Sequence, residues 1–222
     1  MTNAVSIRNL KKSYNDTVAL KGIDITINDG EFFGLLGPNG AGKTTTINIL
    51  TGLVRKNEGD AKIFDKDTVK DYRFTRSQVG IAAQELTQDW FFPLERLLYF
   101  QAGYYGIPKQ KAKKRVEELF DRLGLEEKRE ARLRQLSGGM KRRFQIAKAL
   151  VHDPKILILD EPVTGLDPNQ IVEIRNLIKD LGSEKLVLMS SHILQEIQAT
   201  VNRIIIIHKG EIVADGTNEE LM

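Results

Sequence analysis

Two short stretches carry residue types that can do chemistry on a phosphate chain. The first is Gly37-Pro38-Asn39-Gly40-Ala41-Gly42-Lys43-Thr44, a complete G-x-x-x-x-G-K-[ST] pattern. Its glycines let backbone N–H groups approach phosphate oxygens where a Cβ would obstruct them. Lys43 suits the β- and γ-phosphates, and the Thr44 hydroxyl suits a Mg²⁺ ion. Thr45 follows directly and belongs to the same nucleotide-binding stretch. The second is Asp160-Glu161, placed after the apolar run Ile156-Leu157-Ile158-Leu159. An aspartate there fits a metal's coordination sphere, and the glutamate fits a general base for an attacking water. Alone, each stretch has a plain structural explanation, a glycine turn or a strand that ends in solvated acids. Together they imply a nucleoside triphosphate hydrolase.

The elements around them must put both stretches at one edge. Phe32 to Leu36 is an apolar strand entering the glycine loop, and Thr44 to Leu53 has helical spacing at Ile47, Leu50 and Leu53. A helix starting there aims its free N–H groups and positive dipole end at the same anion. Ile156 to Leu159 and Leu186 to Met189 are continuous apolar runs, expected of parallel strands covered on both faces. Ligands of such sheets bind at the carboxyl ends of the strands. Val18 to Ile27 alternates at Ile23, Ile25 and Ile27, and Val5 to Leu10 is a weaker strand candidate. Helices are expected at Arg115 to Leu123 and around Phe144, Ala147, Leu150 and Val151, the latter stopped by Asp153-Pro154. Ile204 to Ile207 and Ile212-Val213 read as a hairpin, and about Gln88 to Gln135 reads as an inserted helical subdomain. The class is α/β.

Composition closes off other chemistries. The 222 residues suffice for one sizeable domain, with 41% hydrophobic and 28% charged residues. There are no cysteines, which excludes disulfides, thiolate metal sites and cysteine nucleophiles. A net charge of +3 gives no reason to expect nucleic acid as a partner. Met1 to Val5 lack the basic and apolar regions of a signal peptide, and no apolar run approaches the roughly 18 residues of a membrane span. A cytoplasmic location is expected, with any membrane role coming through a partner.

The family follows from what lies between and beyond the two stretches. Leu136-Ser137-Gly138-Gly139-Met140, at the start of a helix, closely resembles the signature motif of ATP-binding cassette proteins. Gln84 resembles their glutamine loop, Gly165-Leu166-Asp167 their aspartate loop, and Ser190-Ser191-His192 their switch histidine. Tyr14 resembles the aromatic residue that stacks on adenine. The resemblance runs from about Val5 to Gly216, with the motifs in family order. It implies a P-loop hydrolase with a mostly parallel core sheet, an N-terminal antiparallel β subdomain and an inserted helical subdomain, residues 1–222 forming one ATPase domain.

The resemblance also implies roles. ATP and Mg²⁺ are the cofactors, with Thr44, Gln84 and Asp160 at the metal, and with Lys43, Glu161 and His192 catalytic. Two subunits pair head to tail, so that Ser137, Gly138 and Gly139 of one complete the ATP site of the other, with Asp167 at the dimer seam. Integral membrane permease subunits are the further partners, which puts the chain on the inner face of the cell membrane. Met140, where the family usually has glutamine, is similar to the branch serving exporters of drugs, polysaccharides or lipids; an importer subunit and a soluble, non-transport ATPase are the alternatives. Members of that branch often run on past the hairpin.

Several features carry two readings. Trp90-Phe91-Phe92 either anchors the coupling helix of a membrane partner or packs the subdomain's own core. The run Lys109, Lys111, Lys113, Lys114 and Arg115 is expected to be a solvated helix face rather than a lipid contact. His152 and His208, beside loop signals, are expected to be solvated. Ribosomal relatives carry two cassettes and DNA-repair relatives long coiled coils, and neither feature is present; nor is the Asn-Lys-x-Asp guanine reader of a GTPase. Intact Glu161 and His192 speak against a non-hydrolysing binding module.

Overall fold

Alternation along three buried strands sorts the core into two halves. In the computed structural model, which describes residues 3–85 and 91–221, β3 (Phe32–Leu36), β7 (Ile156–Asp160) and β8 (Leu186–Ser191) are buried at every position. Phe33, Leu35, Ile156, Ile158, Leu186 and Leu188 face one cluster. Their neighbours Phe32, Leu36, Leu157, Leu159, Val187 and Met189 face the other. Successive strand side chains point to opposite faces, so these continuous apolar runs feed both clusters at once.

The central sheet has six strands in the order β10-β9-β3-β8-β7-β6, with β6 at Val79–Ala82, β9 at Arg203–His208 and β10 at Glu211–Thr217. All its pairings are parallel except that of β10 with β9. A second, antiparallel sheet has the order β2-β1-β4-β5, from β1 (Asn3–Tyr14), β2 (Thr17–Asn28), β4 (Glu58–Ile63) and β5 (Lys66–Asp67). Together with α1 (Lys43–Leu50) it covers one face of the central sheet through the first cluster. Helices α3 (Leu94–Tyr104), α4 (Lys109–Arg122), α5 (Gly138–Leu150) and α6 (Pro168–Gly182) cover the other face. Short helices α2 (Tyr72–Gln78) and α7 (Leu194–Gln198) complete the chain.

Register places the chemistry. Leu36 pairs with Ser191 and Ile206, Asp160 with Ser190, and Ala82 with Leu159. Four strands therefore finish level, and the residues that leave them emerge side by side at one carboxyl edge. Two expectations shift. The helix after the glycine loop stops at Leu50, leaving Leu53 exposed. β1 and β2 each run to 12 residues, longer than their alternation suggests, because they pair along their whole length across several bulges.

Candidate active site

The glycine loop is shaped by approaches that no side chain would survive. A Cβ at Gly37 would stand 2.2 Å from the Ile207 carbonyl oxygen. Gly42, at φ 114°, would bring one within 2.7 Å of Leu20 and 2.9 Å of the Ala19 carbonyl. Between these two pinned points, Pro38, Asn39 and Gly40 are exposed, and Ala41 N donates to Pro38 O at 3.1 Å. The loop runs straight into α1, whose first N–H groups carry no side-chain cap. Such a helix start is suited to an anion.

Lys43 extends back over this loop with only 5% of its side chain exposed. Its Nζ donates to Gly37 O at 2.6 Å and Pro38 O at 3.3 Å, and lies 3.4 Å from Glu161 Oε1. The last contact lacks hydrogen-bond geometry, so Oε1 is a buried acceptor with an ion-pair neighbour and no hydrogen bond. Glu161 Oε2 accepts from Thr164 Oγ1 at 2.9 Å and lies 2.8 Å from His192 Nδ1. The glutamate sits at φ 51°, the left-handed region that a non-glycine residue holds only under tertiary constraint. That backbone turn lets the chain leave β7 with the carboxylate directed at Lys43 rather than along the strand.

Asp160 is held from two sides. Thr44 Oγ1 donates to Oδ2 at 3.1 Å, and Ser190 Oγ donates to Oδ1 while accepting from Glu161 N at 3.1 Å. One serine thus fixes both acids. Ser191 Oγ donates to the buried Glu196 Oε2 at 2.6 Å and accepts from Ile193 N at 3.1 Å, which ties down the turn carrying His192. The set of Thr44 hydroxyl and Asp160 carboxylate, one carboxylate and one hydroxyl oxygen, fits a hard cation that takes its remaining ligands from water and phosphate, as Mg²⁺ does. Among the described residues no group of three or more His, Cys, Asp and Glu side chains could hold a metal without such help.

This geometry has known relatives. Residues 20–164 match the family model described as "ABC transporter". The chain is 38% identical over 214 residues to the linearmycin resistance ATP-binding protein LnrL of Bacillus subtilis (strain 168), covering 96% of this chain and 69% of that one. It is 36% identical over 223 residues to the Nod factor export ATP-binding protein I of Burkholderia orbicola (strain AU 1054), covering 98% and 72%. The chain belongs to the ABC transporter family. Among solved structures, cbiO1 of Clostridium perfringens, part of the complex cbiONQ, superimposes with a TM-score of 0.89 at 29% identity, covering 100% of this chain and 91% of that one. The ATP-binding cassette MJ0796, in a dimeric post-hydrolysis state bound to ADP and Pi, gives 0.86 at 27% identity, covering 96% and 98%.

As an ABC ATPase, the chain binds and hydrolyses ATP in the service of transport, and its P-loop hydrolase fold is the one expected. The family motifs fall into separate groups in space. Lys43, Thr44, Asp160, Glu161 and His192 are joined by the contacts above. Gln84 is exposed two residues past the end of β6, beside the strand that delivers Asp160. Tyr14, 44% exposed at the end of β1, has Lys12 Nζ 4.8 Å from its ring centre. Ser137 caps α5 by accepting from Met140 N at 3.2 Å. Gly139 N donates to Gln170 Oε1 at 3.1 Å, and Asp167 caps α6 through Gln170 N at 3.0 Å. Among the described residues no hydrogen bond or ion pair joins Ser137, Gly138 or Gly139 to the Lys43–Glu161 group.

Other readings change. Phe91 is 80% exposed, and Phe92 meets Phe100 edge-on with Arg96 over both rings, so these two are not core residues. Trp90 lies outside the described residues. His152 is not a solvated histidine. Its ring stacks on Tyr105 at 3.6 Å, its Nε2 lies 3.0 Å from Val79 O, and burial pulls its pKa down to about 4. His208 is exposed as expected. Lys109, Lys111, Lys113 and Lys114 are exposed, while Arg115 turns inward to Leu150 O at 3.0 Å. Sequence reasoning missed the second tier: Gln170, Thr164, Ser190's double duty, and Arg142 with Gln145. The last pair had a signal. They share the i, i+3 face of α5 with Gly139 and Ala149, a buried face that otherwise takes apolar residues.

Proposed function

We propose that the chain powers an exporter: it binds MgATP between its own glycine loop and the signature of a second subunit, and hydrolysis reopens that pair. The observation that carries this is the convergence of Lys43, Thr44, Asp160, Glu161 and His192 at one carboxyl edge, within hydrogen-bonding or ion-pairing reach of one another. Gly37, Pro38, Asn39, Gly40, Ala41, Gly42 and Thr45 cradle the phosphates, Lys43 neutralises the β- and γ-oxygens, and Tyr14 stacks on the adenine. Thr44, Asp160 and Gln84 would hold Mg²⁺, which when bound supplies positive charge to the phosphate oxygens. Glu161 accepts the proton of the attacking water at Oε1 or Oε2. His192 holds Oε2 in place and turns to the γ-phosphate as charge develops there.

Ser137, Gly138 and Gly139 form a second helix start suited to an anion, and among the described residues no hydrogen bond or ion pair joins it to the first. They complete the partner's site, with Asp167 at the seam, in the two-fold arrangement that closes most homo-oligomers. Phe91 and Phe92, exposed just beyond the Gln84 loop, are the kind of aromatic anchors that hold a membrane permease subunit. Among the described residues no helix is long and apolar enough to cross a membrane, so the pathway belongs to that partner. Export is favoured over import because the similar LnrL and Nod factor proteins are named for resistance and export.

A cysteine pair tests the shared site, since the chain has no cysteine of its own. Asn39→Cys and Ser137→Cys, both at exposed positions, are placed in a Glu161→Gln background. A disulfide requires Cα atoms about 4.4–6.8 Å apart. The expected product is a covalent dimer formed with MgATP under mild oxidation and lost without nucleotide. No response to ATP at high protein concentration would remove the shared-site reading.

A further inference from the structure

The buried face of α5 carries two polar side chains that the hydrolytic chemistry leaves unused. Arg142 and Gln145 are 7% and 6% exposed. Arg142 Nη1 donates to Gln145 Oε1 at 2.8 Å and to Ala83 O at 3.2 Å. Gln145 Nε2 donates to Ala83 O at 3.2 Å and to Glu85 O at 3.0 Å. Ala83 and Glu85 flank Gln84. The two side chains therefore grip the backbone on both sides of that residue and occupy both lone pairs of the Ala83 carbonyl.

An apolar face would have packed here more cheaply. A buried guanidinium is tolerated only when something holds it, and among the described residues Arg142 forms no ion pair. Its partners are a carbonyl and a carboxamide, while Asp160 and Glu161 act on it only through space; burial lowers its pKa against their pull. The segment it grips leaves the sheet beside the strand that delivers Asp160. The helix it grips from begins at Ser137, Gly138 and Gly139, little more than one turn away.

We infer that Arg142 and Gln145 are positioning residues that fasten the Gln84 loop to the signature helix, so that seating Gln84 at the metal of one ATP and seating Ser137–Gly139 on the other ATP are a single movement. A helix of 13 residues is stiff on this scale, and side-chain bonds at its first two turns transmit a shift of the loop to the helix start without slack. The inference rests on the reading of Gln84 and of the signature given above.

The test uses the purified chain with Arg142→Met, Gln145→Leu and Arg142→Lys, each first shown to melt as a folded protein and to bind ATP normally in EDTA. Loss of an outer partner of a metal ligand costs about 10–100-fold in metal affinity, so the Met and Leu variants are expected to need at least tenfold more Mg²⁺ for half-maximal ATP hydrolysis. Arg142→Lys, which keeps one donor for Ala83 O, is expected to recover most of that loss. In a Gln84→Ala background Arg142→Met is expected to add nothing further. An unchanged Mg²⁺ requirement in both apolar variants, or effects of Arg142→Met and Gln84→Ala that multiply as independent ones, would overturn the inference. If Gln84→Ala alone leaves the Mg²⁺ requirement unchanged, the reading of Gln84 fails separately. The grip is then judged by amide exchange over residues 83–85, which must accelerate in Arg142→Met for it to stand.

Discussion

Two helices in this molecule begin beside glycines, and they are built to opposite ends. At the start of α1 the chain has assembled a pinned loop, an ammonium only 5% exposed, and a carboxylate and an imidazole within reach of it. At the start of α5, Ser137 and Gly138 are exposed, and the Gly139 N–H is engaged by Gln170. Both offer the same dipoles. Charge–dipole attraction is weak in water and strengthens as solvent leaves, so only the first start can act on a phosphate by its own means. The second becomes comparable when another surface covers it. On the proposed reading, this contrast is what a site divided between two chains would require.

The largest way to break the contrast is to stop the chemistry at the complete site. Glu161→Gln is expected to retain ATP binding while turnover falls about 10²–10⁴-fold, the usual worth of general-base assistance. Single-turnover kinetics check the rate, and light scattering checks for an ATP-dependent dimer. Near-normal hydrolysis would take the base role from Glu161. A smaller effect separates the two glycine turns. Gly37→Ala puts a methyl onto the Ile207 carbonyl and should cost about 3 kcal/mol, the upper end of overpacking, because backbone cannot step aside. ATP affinity of the isolated subunit should fall with it. Gly138→Ala meets only side-chain ends, a Leu166 methyl at 3.2 Å and Gln170 Oε1 at 3.4 Å, and should leave that affinity intact while weakening the ATP-dependent dimer. Equal losses of affinity in calorimetry would erase the distinction.

The smallest effect concerns acid and the far end of α5, where His152 is anchored to Val79. Its pKa is pulled from 6.5 to about 4, among Asp153, Arg115 and Lys185. The folded state therefore resists protonation. The stability this residue contributes is complete above pH 6.5, declines as pH falls, and is gone below about 4. Allowing for the ring's partial exposure, the loss is about 1–2 kcal/mol. Urea unfolding of His152→Gln against the parent should show that much less dependence between those pH values. Parallel slopes would mean that the histidine is not held neutral.

What the sequence disclosed was local chemistry, and what it concealed was long-range pairing. The glycine loop, the two acids and the strands that carry them are contiguous, and continuous apolar runs such as Ile156 to Leu159 admit few other readings. β4 went unread because only Ala61 and Ile63 face inward and Gly59 with two acids breaks the pattern; it becomes a strand by pairing with β1. β6 offers only four residues, α2 only seven, and neither is long enough to show a period. His152 sits beside a turn signal, and its burial comes from Tyr105 and Val79, distant in the chain. The same holds for Arg142 and Gln145, whose carbonyl partners at 83 and 85 lie just past β6. A residue's own neighbours in sequence cannot report a carbonyl that arrives from elsewhere.

The contact between Gly37 and the Ile207 carbonyl has a consequence in the order of synthesis. The nucleotide loop is made early, yet the surface it rests on is β9, and Gly210 N must also donate to Ala41 O before the loop is fixed. A growing chain thus carries a phosphate motif that cannot hold its shape until residues some 170 positions later have emerged and paired beside β3. An arrested chain ending at residue 202 should not retain ATP on a filter, whereas one extended past residue 217 should. Nucleotide capture then marks a chain whose sheet is finished, and half-made copies stay out of competition for ATP and for partners.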